Sequence, residues 1–228
     1  MAHTRVSEFG DVPLLYDRDP AENYGKRGYR VRPYADAVFA AQADSVFDEM
    51  FQTLEALNIG QVSAILFGGI GRSGNGSSLH HQNRAFDLDG LIFDSGFIWV
   101  ADTFEKQPHH YLAIEGVLRQ SFGTVLTYGY NAAHRDHIHF DNGDSVGFRR
   151  HSKSRVLFLQ NALRFLFDQV LDVDGVWGPE TQAAERLVRR ELGLGSLSTN
   201  SNWIGFIETS IDIAVDRARE VDQKGLVA

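Results

Sequence analysis

Two short runs of histidine and aspartate constrain this chain more than anything else in it. The first is Ser78-Leu79-His80-His81-Gln82-Asn83-Arg84-Ala85-Phe86-Asp87-Leu88-Asp89. The second is Asn131-Ala132-Ala133-His134-Arg135-Asp136-His137-Ile138-His139-Phe140-Asp141. Together they hold five of the nine histidines. Ionisable residues gathered this densely seldom serve packing alone. On an extended strand alternate side chains share a face, so His137 and His139 point the same way if the segment is a strand. His80 and Asp87 straddle the start of another strand. They converge with His139 only where the strand of Asp87 lies beside the strand of His139, and a meander through Asp87, Trp99 and Val125 to His139 provides that neighbourhood.

The rest of the chain reads as the scaffold. Residues 1–33 are polar and irregular, an arm expected to lie over the domain, with Arg30, Arg32 and Tyr34 as ordinary surface residues. Residues 35–58 carry Val46, Phe47, Met50, Phe51, Leu54 and Leu57 at helical spacing, stopped by Asn58-Ile59-Gly60. Val62 to Gly68 reads as a buried strand. The Gly69–Gly76 loop has G-x-G spacing but no helical pattern opens after it, so an edge loop is the better reading than a phosphate cradle. Arg72 is its one charged residue. Arg84–Phe93 and Gly96–Asp102 read as strands joined by a hairpin turn. Pro108–Phe122 reads as a helix, with His109 and His110 in surface or capping roles at its start. Val125–Tyr128 and His137–Phe140 complete the strands. Beyond a polar break at Arg149–Ser154, three helices are expected, around Val156–Leu166, Glu180–Glu191 and Ile204–Val221, with Pro179 in the first turn of the middle one.

Composition narrows the partners. A net charge of −8 disfavours nucleic acid, which needs a basic face. The absence of cysteine excludes disulfides and thiolate metal sites, so any metal is held by His, Asp or Glu. Met1–Pro20 lacks the apolar core of a signal peptide, and no run approaches the ~18 apolar residues of a membrane span. Two histidines and one carboxylate with an open fourth position form a catalytic zinc set. Such a site lowers the pKa of water from about 15.7 to about 7, and a neighbouring carboxylate or imidazole then takes the proton. His134, Asp136 and His137 are the nearby candidates.

Ser78-x-His80-x-x-Asn83-x-Ala85-x-Asp87 resembles the S-x-H-x-x-G-x-A-x-D signature of the D-alanyl-D-alanine carboxypeptidase-like zinc peptidases. Asn131–Asp141 resembles the second motif of their extensin-like branch. The resemblance implies one Zn2+ held by His80, Asp87 and His139, with Asp136 as general base and His137 as its close rival. It also implies Arg72 as the residue that steadies a substrate carboxylate or oxyanion. Asn83 stands where the family has glycine, and Asn tolerates left-handed backbone angles. Further on, Val156-x-x-Leu159-Gln160-x-Ala162-Leu163 and Asp174-Gly175-Val176-Trp177-Gly178-Pro179-x-Thr181 resemble small helical peptidoglycan-binding modules.

The expected fold is α+β: a small antiparallel sheet with flanking helices holding one zinc, plus a small all-α C-terminal domain. The expected divisions are a catalytic domain at 1–148, a helical module at 149–195 and a helical extension at 196–228. The expected activity is zinc-dependent hydrolysis of peptide bonds in bacterial peptidoglycan stems or cross-links, in the periplasm or cell wall. The rivals are a peptidoglycan amidase and a non-catalytic wall-binding protein with a structural metal. No delivery or immunity partner is legible.

Overall fold

A computed structural model describes residues 2–18 and 28–225. The N-terminal strands are β1 (His3–Arg5), β2 (Glu8–Phe9), β3 (Val12–Tyr16), β4 (Tyr29–Arg30) and β5 (Tyr34–Asp36). Then come α1 (Ala37–Glu55), β6 (Val62–Gly69), β7 (Ala85–Phe93), β8 (Ile98–Val100), α2 (Pro108–Ser121), β9 (Thr124–Leu126) and β10 (Ile138–Asp141). Three helices follow, α3 (Lys153–Phe165), α4 (Pro179–Glu191) and α5 (Asn200–Gly225).

The class is α+β, but the sheet is larger and less uniform than expected. β1 and β5 form a two-stranded sheet, and the remaining eight strands form another with the path β2-β3-β6-β7-β10-β9. β3 runs parallel to β6, so the sheet is mixed rather than purely antiparallel. The cause is the N-terminus. The stretch read as an irregular arm supplies strands instead, with Leu14 and Tyr16 fully buried against the core. Residues 19–27 of that stretch lie outside the described residues. The meander is also not the route taken. β8 pairs with β7, and β9 lies beyond β10 at the sheet's edge.

Binary patterning explains how the sheet divides. Phe86 and Leu88 of β7, with Ile138 and Phe140 of β10, turn to one face and are all buried. There Phe86 stacks on Phe140 at 5.3 Å, and Phe47 and Phe39 of α1 close over them at 5.5 and 6.1 Å. Asp36 caps α1, its carboxylate accepting from the amides of Val38 and Phe39. The residues between, Asp87 and Asp89 on β7 and His139 and Asp141 on β10, turn to the opposite face. One aromatic face thus anchors the sheet and leaves the other for chemistry.

The C-terminal helices share the same continuous core. α5 lies on α2 so closely that a side chain at Gly116 would meet Ile211 at 2.6 Å. His110, expected in a surface or capping role, is buried and bonded to Asp222 of α5 at 2.9 Å. Arg119 of α2 joins α3 and β9. Its guanidinium pairs with the fully buried Glu115 at 2.8 Å and donates to the carbonyls of Val125 and Ser154 at 3.0 and 2.8 Å. Gln160 explains the Leu-Gln…Asp-Gly pattern of the tail. Its amide donates to Asp174 and Thr181, and its carbonyl accepts from the amides of Asp174 and Gly175. The side chain therefore fastens the turn that leads into α4.

Arg119→Ala strands the Glu115 carboxylate in the core, so a loss of about 3–5 kcal/mol in urea unfolding is expected. The double variant Glu115→Gln/Arg119→Met, which leaves no buried charge, should recover most of that loss.

Candidate metal centre

His139 and Asp87 are directly opposite each other across the β7–β10 ladder. Opposed residues in an antiparallel pair hold their Cβ atoms about 5 Å apart on one face, so the register alone brings imidazole to carboxylate. His80 arrives from a 3-10 turn, Leu79–Gln82, just ahead of β7. The turn is capped by Ser78 and closed by Asn83 with φ 55 and ψ 35, the left-handed angles that asparagine at this position was expected to tolerate. Arg84 ties the turn to the end of β10 by donating to the side chain and carbonyl of Asn142.

The three donor atoms form a small triangle. His80 Nε2 is 3.1 Å from Asp87 Oδ1 and 3.1 Å from His139 Nδ1, and His139 Nδ1 is 3.0 Å from Asp87 Oδ1. The edge of a tetrahedron around an ion with bonds of ~2.0–2.1 Å is about 3.3 Å, so the triangle fits with a slight expansion. The outer bonds of the rings show which nitrogens can turn a lone pair inward to a cation. His80 Nδ1 sits 2.9 Å from the carbonyl of Ile70, which only accepts, so that nitrogen carries the proton. His139 Nε2 sits 3.1 Å from Asp141 Oδ2 and likewise carries its proton outward. With neutral rings, two imidazole lone pairs and a carboxylate oxygen converge with no proton between them. Such a donor set repels itself and is satisfied by a cation, and outward bonds to a carbonyl and a carboxylate are the usual way a protein orients metal-binding histidines.

His137 stands beside the triangle, its Nε2 3.6 Å from Asp87 Oδ1. Asp136 accepts from His137 Nδ1 at 2.7 Å, which leaves Nε2 as the lone pair on the cluster side. Both residues precede β10, so strand alternation does not govern them. His134 packs its ring on His137 at 5.1 Å and donates from Nδ1 to Asn131 Oδ1 at 2.8 Å. Burial, then the neighbouring His137 and His139, push its pKa down to about 4, so it is neutral at pH 7. In this tautomer its Nε2 has no proton to offer an oxyanion. Arg72 is exposed and lines the cavities on both sides of the cluster.

One residue escaped the sequence reading altogether. Arg18, just past β3, donates to Asp136 Oδ2 at 2.7 Å and to Asp89 Oδ1 at 2.8 Å, and touches His137 Nδ1 at 3.2 Å. It gains its place because Gly68 has no side chain there: a Cβ would lie 2.6 Å from the guanidinium. No local signal in a single sequence marks such a contact. Burial, with Asp87 adding to it and Arg18 opposing, raises the Asp89 pKa to about 8. Asp89 Oδ1 accepts from Arg18 whether or not the carboxyl is protonated.

The sequence model of the family described as extensin-like protein C-terminus matches residues 31–151. The chain belongs to that family. The extensin-like region contains both motif runs and every donor of the triangle, while Arg18 and β3 lie ahead of it. No curated protein and no solved structure matches the chain.

Burial lowers the His139 pKa, but the bonds to Asp141 and Asp87 outweigh it and raise it to about 9. A raised histidine pKa adds stability that is complete below the unfolded value of about 6.5 and lost as pH climbs through the folded value. Chelator-treated protein should therefore lose melting temperature between pH about 6.5 and 9, and His139→Gln should flatten that slope. Metal competes with the same proton, so its affinity should rise across this window.

Proposed function

We propose that the chain is a zinc-dependent hydrolase that cleaves peptide bonds in bacterial peptidoglycan stems or cross-links. The observation that carries this reading is the convergence of one donor atom each from His80, Asp87 and His139 within a triangle of about 3 Å edges, with the His137 imidazole beside it. A set of two histidines and one carboxylate with further room is the pattern of catalytic rather than structural zinc. The absence of cysteine fits zinc through nitrogen and oxygen donors.

The chemistry that a bound zinc supplies is Lewis acidity, which polarises a carbonyl and makes water acidic enough to attack at neutral pH. The chain's own residues do the rest. His137 Nε2 takes the proton of the attacking water and returns it to the departing amine. Asp136 holds Nδ1–H of that ring, fixes its tautomer and offsets the charge it acquires. Arg18 fixes Asp136 and so positions the pair. Between Asp136 and His137, the two candidates for the base, the geometry favours His137: both oxygens of Asp136 are engaged, one by His137 and one by Arg18. His134 packs against the base and keeps water from one side of it. With His134 lacking a proton at Nε2, Arg72 is the better group to steady the developing oxyanion.

Cavities of about 180 and 440 Å3 flank the cluster, and His80, Asp87 and His137 line both. These spaces leave room beside the cluster for part of a peptide stem or cross-link. Action in the periplasm or cell wall follows from that substrate. No helix among the described residues is long and apolar enough to cross a membrane.

Mass spectrometry of purified muropeptides incubated with the zinc-loaded protein tests the reading. New stems shortened by a D-amino acid, or opened cross-links, are expected, with His139→Ala inactive. Stems released with an intact L-alanine amine would point to an amidase instead, and unchanged muropeptides would defeat the proposal. His137→Ala should cut kcat by about 10²–10⁴ while zinc is still bound at one equivalent. Arg18→Ala should cause a smaller fall in kcat.

A further inference from the structure

A further concavity of about 690 Å3 adjoins the metal centre, and of the residues that line it only Arg72 enters the chemistry just described. Its wall is the two-stranded sheet of β1 and β5 with the segment leading into β5, and it shares Gly69, Gly71 and Arg72 with the cleft that holds His80, Asp87 and His137. The two spaces therefore adjoin each other at Gly69, Gly71 and Arg72.

Its charge is opposite to that of the chain. The protein carries −8 overall, yet among the described residues this basin is lined by Arg5, Arg32, Arg72 and His3 and by no carboxylate. Arg5 is held in place: its guanidinium donates to the Arg32 carbonyl at 2.8 Å and lies 4.0 Å from the centre of the Tyr34 ring. The Arg32 and Arg72 side chains are exposed and make no hydrogen bond or ion pair with the described residues. Tyr34, Tyr16 and Phe67 give the basin an apolar lining between these cations.

We infer that this basin is a substrate subsite that binds a carboxylate of an acidic peptide while the peptide's scissile bond lies at the His80–Asp87–His139 cluster. This rests on the hydrolase reading for the position of the bond, but not for the binding. Guanidinium groups match carboxylates in a planar fork, and cations in a concave wall concentrate an anionic ligand there. The residues responsible sit largely ahead of the metal motifs. A specificity device is thus supplied by the N-terminal strands, and the hydrolytic centre by the later ones.

The test uses the zinc-loaded full-length protein and one stem peptide in two forms, with free carboxylates and with those carboxylates as carboxamides. KM and kcat are read by chromatography, and binding to the His137→Ala variant is read by calorimetry. The acid form is expected to bind about tenfold more tightly and to show a correspondingly lower KM. Arg32→Glu should abolish this preference with kcat unchanged, and Arg32→Lys should keep part of it. Equal binding of the two forms, or a preference that survives Arg32→Glu, overturns the subsite even if hydrolysis is observed. A preference lost in Arg32→Glu upholds the subsite even if neither peptide is cut, in which case the hydrolase reading alone falls.

Discussion

The register of two short strands carries this structure. Asp87 faces His139 because β7 and β10 are zipped with Ile138 opposite Leu88 and Phe140 opposite Phe86. Those flanking pairs are wholly apolar and buried, and they fix the alignment. A slip of one residue would turn Asp87 and His139 toward the aromatic core and Phe86 and Phe140 toward the cleft. The cost of burying a carboxylate there greatly exceeds any gain from the metal-site contacts. The packing of phenylalanines on one face therefore enforces the meeting of ligands on the other.

That division explains what could be read from the sequence. The donor residues were visible because their chemistry is local: Ser78 caps the turn that carries His80, Asn83 takes the left-handed angles that close it, and the alternation in Ile138-His139-Phe140-Asp141 assigns faces. The helices α1 to α4 follow from their apolar spacing and, for α4, from Pro179 in its first turn. What the sequence hid is set by long-range pairing. β3 is short and carries a proline, and its pairing with β2, β4 and, in parallel, β6 makes it a strand. His110 looks like a residue of an exposed helix start until α5 covers it. Arg18 is an arginine in an unremarkable stretch, and its role exists only because β3 delivers it past Gly68.

The tail illustrates how a motif can be spent on architecture. Gln160 and the Asp174-Gly175 turn satisfy one another's hydrogen bonds, which accounts for their spacing without a ligand. Arg119 and Arg155 then weld the first of these helices to the sheet. Arg155 donates to the carbonyls of Gly123 and Ser145 at 2.9 and 2.7 Å, on the loops that flank β9 and β10. The helices consequently buttress the edge of the sheet that carries the second histidine run, and their burial contributes to the stiffness of that run.

Asp136 shows why the placement of Arg18 matters for the chemistry. A carboxylate next to an imidazole can act as base itself or can make the imidazole one. Asp136 is exposed, and free to rotate it would compete with His137 for the same proton. Once Arg18 occupies one oxygen and His137 the other, the carboxylate pKa is lowered, with burial opposing and these two bonds prevailing. A carboxylate in that state is a poor proton acceptor and a good electrostatic partner. On the proposed hydrolase reading the proton then goes to His137 Nε2, a lone pair that stands 3.6 Å from Asp87 Oδ1 and outside the metal-binding triangle. On that reading the N-terminal strand, although it lies outside both motifs, helps to make His137 rather than Asp136 the base.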